Sequence, residues 1–564
     1  MGSIYLLQAA QCRNSEQWFH INWSHCSRSV RSLQKRIVKS VRDGAWRKVK
    51  RLCYLLVKSF AARALAVKRV TENKGKKTAG IDGKLWTTPS QKMRAIETIF
   101  NWHGYRPKAL KRLYIPKKDK NQTRPLSIPT MEDRARQALH MYALQPIAET
   151  QGDKNSYGFR NKRRCADATS QLFNIFRLKG SSQWILEGDI KGFFDNISFD
   201  WILENIPMNK KVLRAWLNCG FLEEGKMFPT TAGVPQGGII SPVIGNMVLD
   251  GLEAVIRSYP GYKRDHGINF VRYADDFVVS AKSKHVLEND IIPKINDFLA
   301  PRGIQLSEQK TKVTHISKGF DFLGQLIRKH QHQDGVLGKI QITPSKPSVK
   351  SIKEKIKTIC RSSGQLTQTQ LIDRLNPVLR GWANYQRHHI PGKTFTGLDS
   401  FVWFRLMRWA KRRHPEKSGV WISKRYFTRT NSCAWTFKDK VSGKWLIQMS
   451  TDIRTFRHIK IKGDANPFDI EWTDYFQNRE KMLKMKSIDK YKGNILKRQD
   501  GKCLHCLQLL QLEDKHHLHH IDGDKTHKRI KNVVMLHKAC KSSFNYLKEK
   551  HVTGASNDLG VSHA

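Results

Sequence analysis

The sequence predicts a multidomain protein of the α+β class, and three observations lead to that prediction. Two apolar stretches flank the acidic turn in Tyr273-Ala-Asp-Asp276, as expected for buried strands joined by a tight turn. Residues 28–70 and 371–382 instead repeat their apolar side chains at helical spacing. Residues 503–540 pair cysteine with histidine in a manner typical of a small zinc domain. The 564 residues leave room for several such units.

The amino-terminal 85 residues are predicted to form a helical extension. Leu33, Ile37 and Val41 recur at helical spacing in a stretch rich in lysine and arginine. Such a helix either covers the next domain with its apolar face or binds nucleic acid with its basic face, and the two uses are compatible. We therefore expect residues 1–85 to form a domain of their own.

The acidic pair Asp275 and Asp276 is the most informative feature of the chain. Two adjacent carboxylates are costly to place together unless a cation neutralises them. Mg²⁺ is the natural candidate, because this hard cation prefers carboxylate and phosphate oxygens. A second predicted strand ends at Asp189, so Asp189 and Asp275 could together hold two metal ions roughly 3.5–4 Å apart. The alternative for the acidic pair by itself is an ordinary solvated turn.

Further motifs accompany these carboxylates along the chain. Phe194 follows Asp189 closely, at the start of a predicted helix. Gln236 and Gly237 lie in a glycine-rich segment, where a missing side chain lets the backbone approach a ligand. Arg124 lies upstream, and its guanidinium group could bind a phosphate through two parallel hydrogen bonds. The remaining candidates, each of which could equally be a solvated surface charge, are Lys117, Lys118 and Lys310.

These motifs, in this order, resemble the fingers and palm of a reverse transcriptase with right-hand architecture. The resemblance implies that Asp189, Asp275 and Asp276 are catalytic, with Asp189 and Asp275 binding Mg²⁺. It also implies that Phe194 excludes the ribose 2′-hydroxyl group and that Gln236 contacts the template–nucleotide pair. The other implied contacts are Lys117 or Lys118 and Arg124 on the incoming triphosphate, Gly237 against the base pair, and Lys310 as proton donor to pyrophosphate.

Downstream of the palm the sequence predicts helices again. A helical thumb is expected at residues 346–415, with Pro377 marking a kink or a new helix start. Trp403 and Trp409 alternate with arginines in a stretch where aromatic rings could stack on bases, although these tryptophans could equally be core residues. Residues 401–500 carry an excess of lysine and arginine, and the family resemblance implies a DNA-binding domain at residues 416–492. The predicted apolar face of the thumb comprises Leu371, Leu375, Val378 and Trp382.

The carboxyl-terminal residues 493–564 carry a separate chemistry. Cys503 and Cys506 form a C-x-x-C pair, and His537 and Cys540 follow later in the chain. Thiolate and imidazole ligands in this arrangement suit a structural Zn²⁺, although a C-x-x-C pair alone could be coincidental. The stretch between the two pairs resembles an HNH endonuclease of the ββα-metal type. This resemblance implies His520 as general base, Asn532 as the residue that orients it, and His519 and Asn545 as ligands of a further divalent metal ion.

The carboxyl-terminal segment departs from that nuclease pattern at two positions. Active members of the class often place histidine directly after the last zinc cysteine and again four residues later, where this chain has Lys541 and Asn545. A lysine ammonium group beside a catalytic cation is unfavourable. The departure favours the endonuclease fold over endonuclease activity. The alternative is a DNA-binding module stapled by zinc, which retains His519 and His520 without turnover.

Composition points to a polyanionic partner. Lysine and arginine total 101 against 48 aspartate and glutamate residues, a formal net charge of +53. Such an excess predicts salt-dependent binding to nucleic acid. A membrane surface is the rival polyanion, but no apolar run of about 18 residues is present, so we expect no membrane span. Scattered cysteines and a start without a secretory pattern predict a cytoplasmic location, in a bacterial cytoplasm or nucleoid or in an organelle.

The motifs taken together resemble a group II intron-encoded protein, a reverse transcriptase combined with an RNA-splicing maturase. Beyond the polymerase motifs, the resemblance rests on residues 71–83, 320–324 and 375–385. The domains that it implies are 1–85 (amino-terminal extension), 86–345 (fingers and palm), 346–415 (thumb and maturase), 416–492 (DNA binding) and 493–564 (HNH type with a zinc knuckle).

The resemblance implies a function with several steps. The protein would bind its own intron RNA as a ribonucleoprotein, assist splicing, and copy the intron into DNA by target-primed reverse transcription during retrohoming. Its partners would be the intron RNA, a DNA target, deoxynucleoside triphosphates and Mg²⁺, with possible second-strand nicking by the HNH domain. Two alternatives remain open: a splicing maturase that no longer polymerises, and a free-standing reverse transcriptase with an inactive nuclease domain. The sequence leaves the oligomeric state open.

Overall fold

The architecture is taken from a computed structural model. The residues that it describes are 17–116, 123–331, 336–389, 391–430, 433–512, 514–524, 526–527, 529–538, 540–541 and 544–545.

Contacts within the chain divide it into two compact units, each with its own hydrophobic core. The first unit comprises residues up to 318 together with 331–339 and 460–473. The second unit comprises residues 319–330, 340–459 and 474 onwards. No helix in the described parts of either unit is long and apolar enough to cross a membrane.

The amino-terminal part of the first unit is helical, as the sequence predicts. Ile37 is fully buried on the apolar face of its helix. Residues one turn apart lie on the same side of a helix, so the apolar residues form one continuous face. This face contributes to the same hydrophobic core as the long helix Met131–Gln151. The helices of this part are Trp23–Arg42, Trp46–Lys58, Phe60–Glu72 and Pro89–Thr98, with a 3₁₀ turn at Lys74–Lys77.

Two four-stranded sheets are found in the first unit. The strands of one sheet are, in spatial order, Thr123–Ile128, Leu110–Pro116, Phe221–Glu223 and Lys226–Phe228. Those of the other, which we call the palm sheet, are Asn269–Tyr273, Asp276–Ala281, Trp184–Gly188 and Lys312–His315. All pairs in the palm sheet are antiparallel. The predicted strands on both sides of the acidic pair and before Asp189 are confirmed.

A second core lies between the palm sheet and its helices. Leu186 and Val279 lie opposite each other on paired strands, and both are completely buried. Continuous apolar runs in a sequence predict strands whose side chains are buried, and both residues agree with that prediction. The helices that complete this part are Cys165–Phe176, Phe193–Asn196, Phe199–Asn205, Lys210–Leu217, Ser241–Leu249, Leu252–Arg257 and Ile292–Leu299.

Residues 460–473, which we call the return segment, pack within the first unit although they are distant from it in sequence. The Ile461 amide donates a hydrogen bond to the buried Asp167 carboxylate at 2.7 Å. The Arg163 guanidinium group donates one to the Gly463 carbonyl oxygen at 2.8 Å. The predicted DNA-binding region 416–492 therefore contains a stretch that belongs to another compact unit. The domain boundaries drawn from the sequence stay predictions.

The second unit begins with a three-stranded sheet and continues as helices. Its strands are Phe320–Phe322, Gln325–Gln331 and Leu337–Pro344. On the predicted apolar face, Leu371 and Leu375 are buried in the core of the helices that follow, and Val378 and Trp382 are partly buried against that core. These helices are Lys346–Ser362, Gln368–Gln386, Gly392–Arg413 and Gly419–Tyr426.

Pro377 lies inside the helix Gln368–Gln386, so the alternative of a new helix start at this residue is wrong. Proline removes one backbone hydrogen bond. Buried Leu375 and Leu379 on either side of the proline anchor the helix to its core, and this packing holds the helix together.

The remaining described residues of the second unit include two small hairpins and three α-helices. The first hairpin pairs Phe427–Thr430 with Cys433–Phe437. The second pairs His516–His520 with Val533–His537, and Val533, Met535 and Leu536 lie in a small core with Ile495 and Leu496. The helices are Met449–Asp452, Thr473–Ser487 and Lys490–Arg498.

Candidate functional site

The acidic turn is held in an unusual backbone conformation. Ala274 has a φ of 59°, in the left-handed region that residues with side chains seldom adopt. Gly158 lies directly behind it, and a Cβ atom at Gly158 would come within 2.3 Å of the Ala274 nitrogen. Only a residue without a side chain lets the two backbones approach so closely. The position of the turn therefore depends on a loop more than a hundred residues upstream.

A buried arginine anchors the acidic turn from the preceding strand. Arg272 is completely buried, and its Nη2 atom lies 2.5 Å from the Asp250 Oδ1 atom. Its Nη1 atom donates hydrogen bonds to Asn246 Oδ1 at 3.2 Å and to the Ala274 carbonyl oxygen at 3.4 Å. Burial raises the pKa of Asp250 to about 6, and the positive charge of Arg272 opposes that rise. No motif in the sequence indicated this ion pair.

Asp189 lies at the same end of the palm sheet as the acidic turn. Gly188 pairs with Phe277, so the next residue, Asp189, is placed beside Asp276. Burial raises the pKa of Asp275, and the negative charge of Asp189 raises it further. The structure thus brings together the three carboxylates that the sequence singled out.

Two cations partly neutralise this acidic cluster. The charges of Arg124 and Lys310 both lower the pKa of Asp275. Lys310 Nζ lies 3.0 Å from Asp189 Oδ2, and the lysine side chain is largely exposed. Carboxylate oxygens gathered in this way suit a hard divalent cation such as Mg²⁺. Lys117 and Lys118 lie outside the described residues.

The glycine-rich loop connects the acidic end of the sheet to the strand that carries Arg124. The Ser127 amide donates a hydrogen bond to the Gln236 carbonyl oxygen at 2.7 Å. Gly237 has a φ of 122°, and a Cβ atom there would lie 2.5 Å from the Ser127 oxygen, so glycine is required.

On its other side, the loop contacts the short helix Phe193–Asn196. The Val234 amide donates to the Phe194 carbonyl oxygen at 2.6 Å. The Gln236 side-chain amide donates to both oxygens of Asp195, at 3.1 and 3.2 Å. Asp195 therefore orients Gln236, a contact that spacing in the sequence did not reveal. The partly exposed Phe194 ring and the Gln236 amide are thereby tied to the same loop.

The four predicted zinc ligands converge. The ligand atoms of Cys503, Cys506, His537 and Cys540 all lie within 4.8 Å of one another. Cys506 Sγ lies 3.3 Å from His537 Nδ1. Hydrogen bonding between the crowded thiols lowers the pKa of Cys503 and raises that of Cys540. Three thiols and one imidazole at these distances fit the tetrahedral ligand set of a structural Zn²⁺.

Asp514 supports this cluster from outside. Its Oδ2 atom lies 3.3 Å from His537 Nε2, the ring nitrogen that faces away from the thiols. Hydrogen bonding to Asp514, together with that to the Cys503 and Cys506 thiols, raises the pKa of His537 to about 11, and the bond to Asp514 fixes the orientation of the ring. The Lys484 ammonium group holds the Asp514 backbone through its carbonyl oxygen, at 2.9 Å. Asp514 lies between the two ligand pairs in sequence, without a spacing that would identify it.

We expect Asp514→Asn to weaken zinc binding by roughly 10- to 100-fold, because the neutral amide orients the His537 ring less strongly than the carboxylate does. Competition with a chromophoric chelator measures the change. Asp524→Asn is the matched control, since Asp524 lies in an exposed loop of the same region and its carboxylate accepts hydrogen bonds from Thr526 in that loop. Equal zinc affinity in both variants would contradict the role of Asp514.

The nuclease candidates lie on and after the second hairpin. His519 and His520 are adjacent on the strand His516–His520 and therefore face opposite sides. The His519 ring contacts the ring of Phe544, with centroids 5.0 Å apart, and Asn545 follows Phe544 in the same short helical turn. His519 and Asn545 thus share one neighbourhood.

Asn532 closes the loop that begins at His520. Its Oδ1 atom accepts a hydrogen bond from the Asp522 amide at 3.1 Å, and its Nδ2 atom donates to the His527 carbonyl oxygen at 3.0 Å. The Gly523 amide in turn donates to the His520 carbonyl oxygen. The strands His516–His520 and Val533–His537 form an antiparallel hairpin, and Lys541 is exposed. The roles of these residues in cleavage stay predictions.

Comparison with protein families matches three parts of the chain. Residues 115–327 match the reverse transcriptase (RNA-dependent DNA polymerase) family. Residues 18–99 match the N-terminal domain of reverse transcriptase, and residues 349–427 match the maturase-specific domain of group II introns. The palm sheet with its acidic turn lies inside the first match. The chain therefore carries a reverse transcriptase domain.

Curated relatives agree with this class. The group II intron-encoded protein LtrA of Lactococcus lactis subsp. cremoris is 29% identical over 328 residues, covering 47% of this chain and 54% of the relative. Protein YkfC of Escherichia coli (strain K12) is 28% identical over 332 residues, covering 51% of this chain and 85% of the relative. Maturase-like protein 1 of Euglena gracilis is 25% identical over 373 residues, covering 65% of this chain and 76% of the relative.

The chain therefore combines a reverse transcriptase domain and its N-terminal domain with the maturase-specific domain of group II introns. The alignment spans about half the length of LtrA. None of the three matched families extends past residue 427, so the Cys₃His cluster lies beyond the matched regions.

Proposed function

We propose that this protein is an RNA-directed DNA polymerase that copies its group II intron RNA into DNA. The observation that carries the proposal is the convergence of Asp189, Asp275 and Asp276 at one end of the palm sheet, beside the charges of Arg124 and Lys310. Polymerisation is a phosphoryl transfer, in which positioning and electrostatic stabilisation supply most of the catalysis. An acidic cluster next to a guanidinium group supports that chemistry.

Each residue of the site has a part in this proposal. Asp189 and Asp275 would hold two Mg²⁺ ions, which when bound activate the primer 3′-hydroxyl group and neutralise charge on the leaving pyrophosphate. Arg124 binds the triphosphate, and Lys310 donates a proton to the leaving group. Phe194 excludes the 2′-hydroxyl group, while Gln236 and Gly237 contact the template–nucleotide pair. The Asp195 carboxylate keeps the Gln236 amide in place when no substrate is bound.

The remaining domains extend the proposal to the mobility of the intron. The amino-terminal helices, fingers and thumb would bind the intron RNA and assist its splicing as a maturase, and the basic region after the thumb would bind the DNA target. The Cys₃His cluster would hold Zn²⁺ and stabilise an HNH-type fold. Within that fold His520 would act as general base, oriented by Asn532, and His519 and Asn545 would bind the metal ion for second-strand nicking.

Sequencing the RNA that co-purifies with the protein from its own host tests the partner. We expect a single dominant structured intron RNA, because a maturase recognises one folded partner rather than charge alone. The control is the RNA retained after a wash at high salt, which screens nonspecific phosphate contacts. A broad mixture that tracks cellular abundance would contradict the maturase role and favour a free-standing reverse transcriptase.

Primer extension on an RNA template separates the polymerase from the alternative of a splicing maturase without polymerase activity. We expect extension with deoxynucleotides and Mg²⁺. Retained RNA binding without extension would favour that alternative.

A further inference from the structure

The return segment, residues 460–473, is attached to the first unit by several independent contacts. Its backbone bonds Asp167 and Arg163, as described above, and Asn466 Nδ2 donates to Thr150 Oγ1 at 3.1 Å. Asp469 Oδ2 lies 2.5 Å from Arg42 Nη2. Ile461 is completely buried, so the segment is packed into the unit and does not merely lie on its surface.

The partners of the return segment continue into a buried network of charges. Arg163 bonds the Gly463 carbonyl oxygen and also Glu149, with its Nε atom 3.2 Å from Glu149 Oε1. Glu149 accepts two further hydrogen bonds from Arg160, at 2.8 and 2.9 Å. The Arg160 guanidinium group also donates to the Asp153 carbonyl oxygen and, at 3.1 Å, to that of Ser156. This network therefore braces the loop 153–163.

The loop 153–163 also forms backbone hydrogen bonds with the strand that precedes the acidic turn. The Arg272 amide donates to the Asn155 carbonyl oxygen at 2.9 Å, and the Tyr157 amide donates to the Arg272 carbonyl oxygen at 2.9 Å. Gly158 abuts Ala274, as described above. The loop contacts the return segment on one side and the acidic turn on the other.

Phe468 brings the return segment to a cavity that is also lined by two partners of Arg272. This largely buried ring lines a small cavity together with Arg160, Asn246 and Asp250. Asn246 and Asp250 bind the Arg272 guanidinium group, and Asp153 Oδ2 lies 3.7 Å from its Nη2 atom. Charge interactions are stronger where water is excluded, so an apolar ring at this cavity is suited to shield the ion pair.

We propose that the return segment is a positioning element of the polymerase site, in which Phe468 seals the Arg272–Asp250 ion pair and so holds the acidic turn in register. The inference rests on the proposed polymerase function. Phe468 itself touches no reacting atom. It acts through Arg272, which holds the Ala274 carbonyl oxygen one residue before Asp275.

The test compares Phe468→Ala with wild type in the full chain. We expect the Mg²⁺ concentration for half-maximal primer extension to rise roughly threefold to tenfold, which is typical of coupling through packed contacts. Amide hydrogen exchange in the peptide 269–277 should accelerate, because the turn has lost part of its support. Phe468→Leu should restore most of both properties. Ile470→Ala, at a largely exposed position of the same segment, should change neither.

Two results would overturn the inference. One is an unchanged Mg²⁺ dependence together with unchanged exchange in residues 269–277. The other is acceleration of exchange by a similar factor in every peptide of the first unit, which would make Phe468 a general stability residue. If wild type itself extends no primer, the proposed function fails, while the exchange comparison still decides whether the return segment supports the acidic turn.

Discussion

Asp275→Asn is expected to reduce the rate of primer extension roughly a thousandfold. A carboxylate that binds Mg²⁺ contributes several kcal/mol to stabilising the transition state, and each ~1.4 kcal/mol corresponds to a factor of ten in rate. Asparagine keeps the size of the side chain but removes the charge. Single-nucleotide addition on a primed RNA template at saturating deoxynucleotide measures the loss, and Asp189→Asn should behave in the same way.

The controls for this prediction separate catalysis from folding. Asp297→Asn removes an exposed carboxylate from the same unit and should leave the rate unchanged. RNA binding by Asp275→Asn should match wild type, since the basic surface is unaltered. Asp276→Asn with an unchanged extension rate would contradict the assignment of the adjacent pair to catalysis.

Cys503→Ser is expected to abolish zinc binding and to unfold the region around the second hairpin. Structural zinc contributes about 10–16 kcal/mol to the folding of small domains, and the core of Val533, Met535 and Leu536 is too small to replace it. Elemental analysis of the purified protein measures the bound zinc. Limited proteolysis should produce new cleavage sites between residues 493 and 545.

A partly buried cysteine elsewhere provides the comparison for this variant. Cys219→Ser should keep the zinc, because Cys219 lies in the first unit, where its thiol donates a hydrogen bond to the nearby Trp216 carbonyl oxygen. The separate cores of the two units predict that Cys503→Ser leaves hydrogen exchange in the palm sheet unchanged. Full zinc occupancy in Cys503→Ser would contradict the ligand assignment.

Local patterns were enough to locate the chemistry in the sequence. Alternating and continuous apolar runs placed the strands around Asp275 and before Asp189, and the structure has them there. The paired spacing of cysteine and histidine located a ligand set whose members converge. Helical spacing also predicted the buried face that includes Leu371 and Leu375. Each of these signals arises within one element or between elements close in the chain.

The residues that orient the site side chains could not be predicted from local patterns. Asp195 orients Gln236, and Asp514 orients His537, yet neither belongs to a spacing pattern. Pro377 suggested either a kink or a new helix start, and the second alternative is wrong because local propensity takes no account of the core on which that helix packs. A side chain that orients another side chain must lie next to it in the folded structure. That proximity depends on how distant parts of the chain pack together.

The sequence by itself determined which residues are the candidates for the chemistry: three carboxylates on predicted strands, a glycine-rich loop, a cluster of three cysteines and one histidine, and a large excess of positive charge. Only the tertiary structure decided how they are supported. It brought Arg272 together with Asp250 and returned residues 460–473 to the first unit, close to the acidic turn. The physical reason is that strand and helix periods are encoded over a few residues. A contact between residues 300 positions apart results from the packing of whole elements. Such packing produces no periodic pattern in the local sequence from which the contact could be predicted.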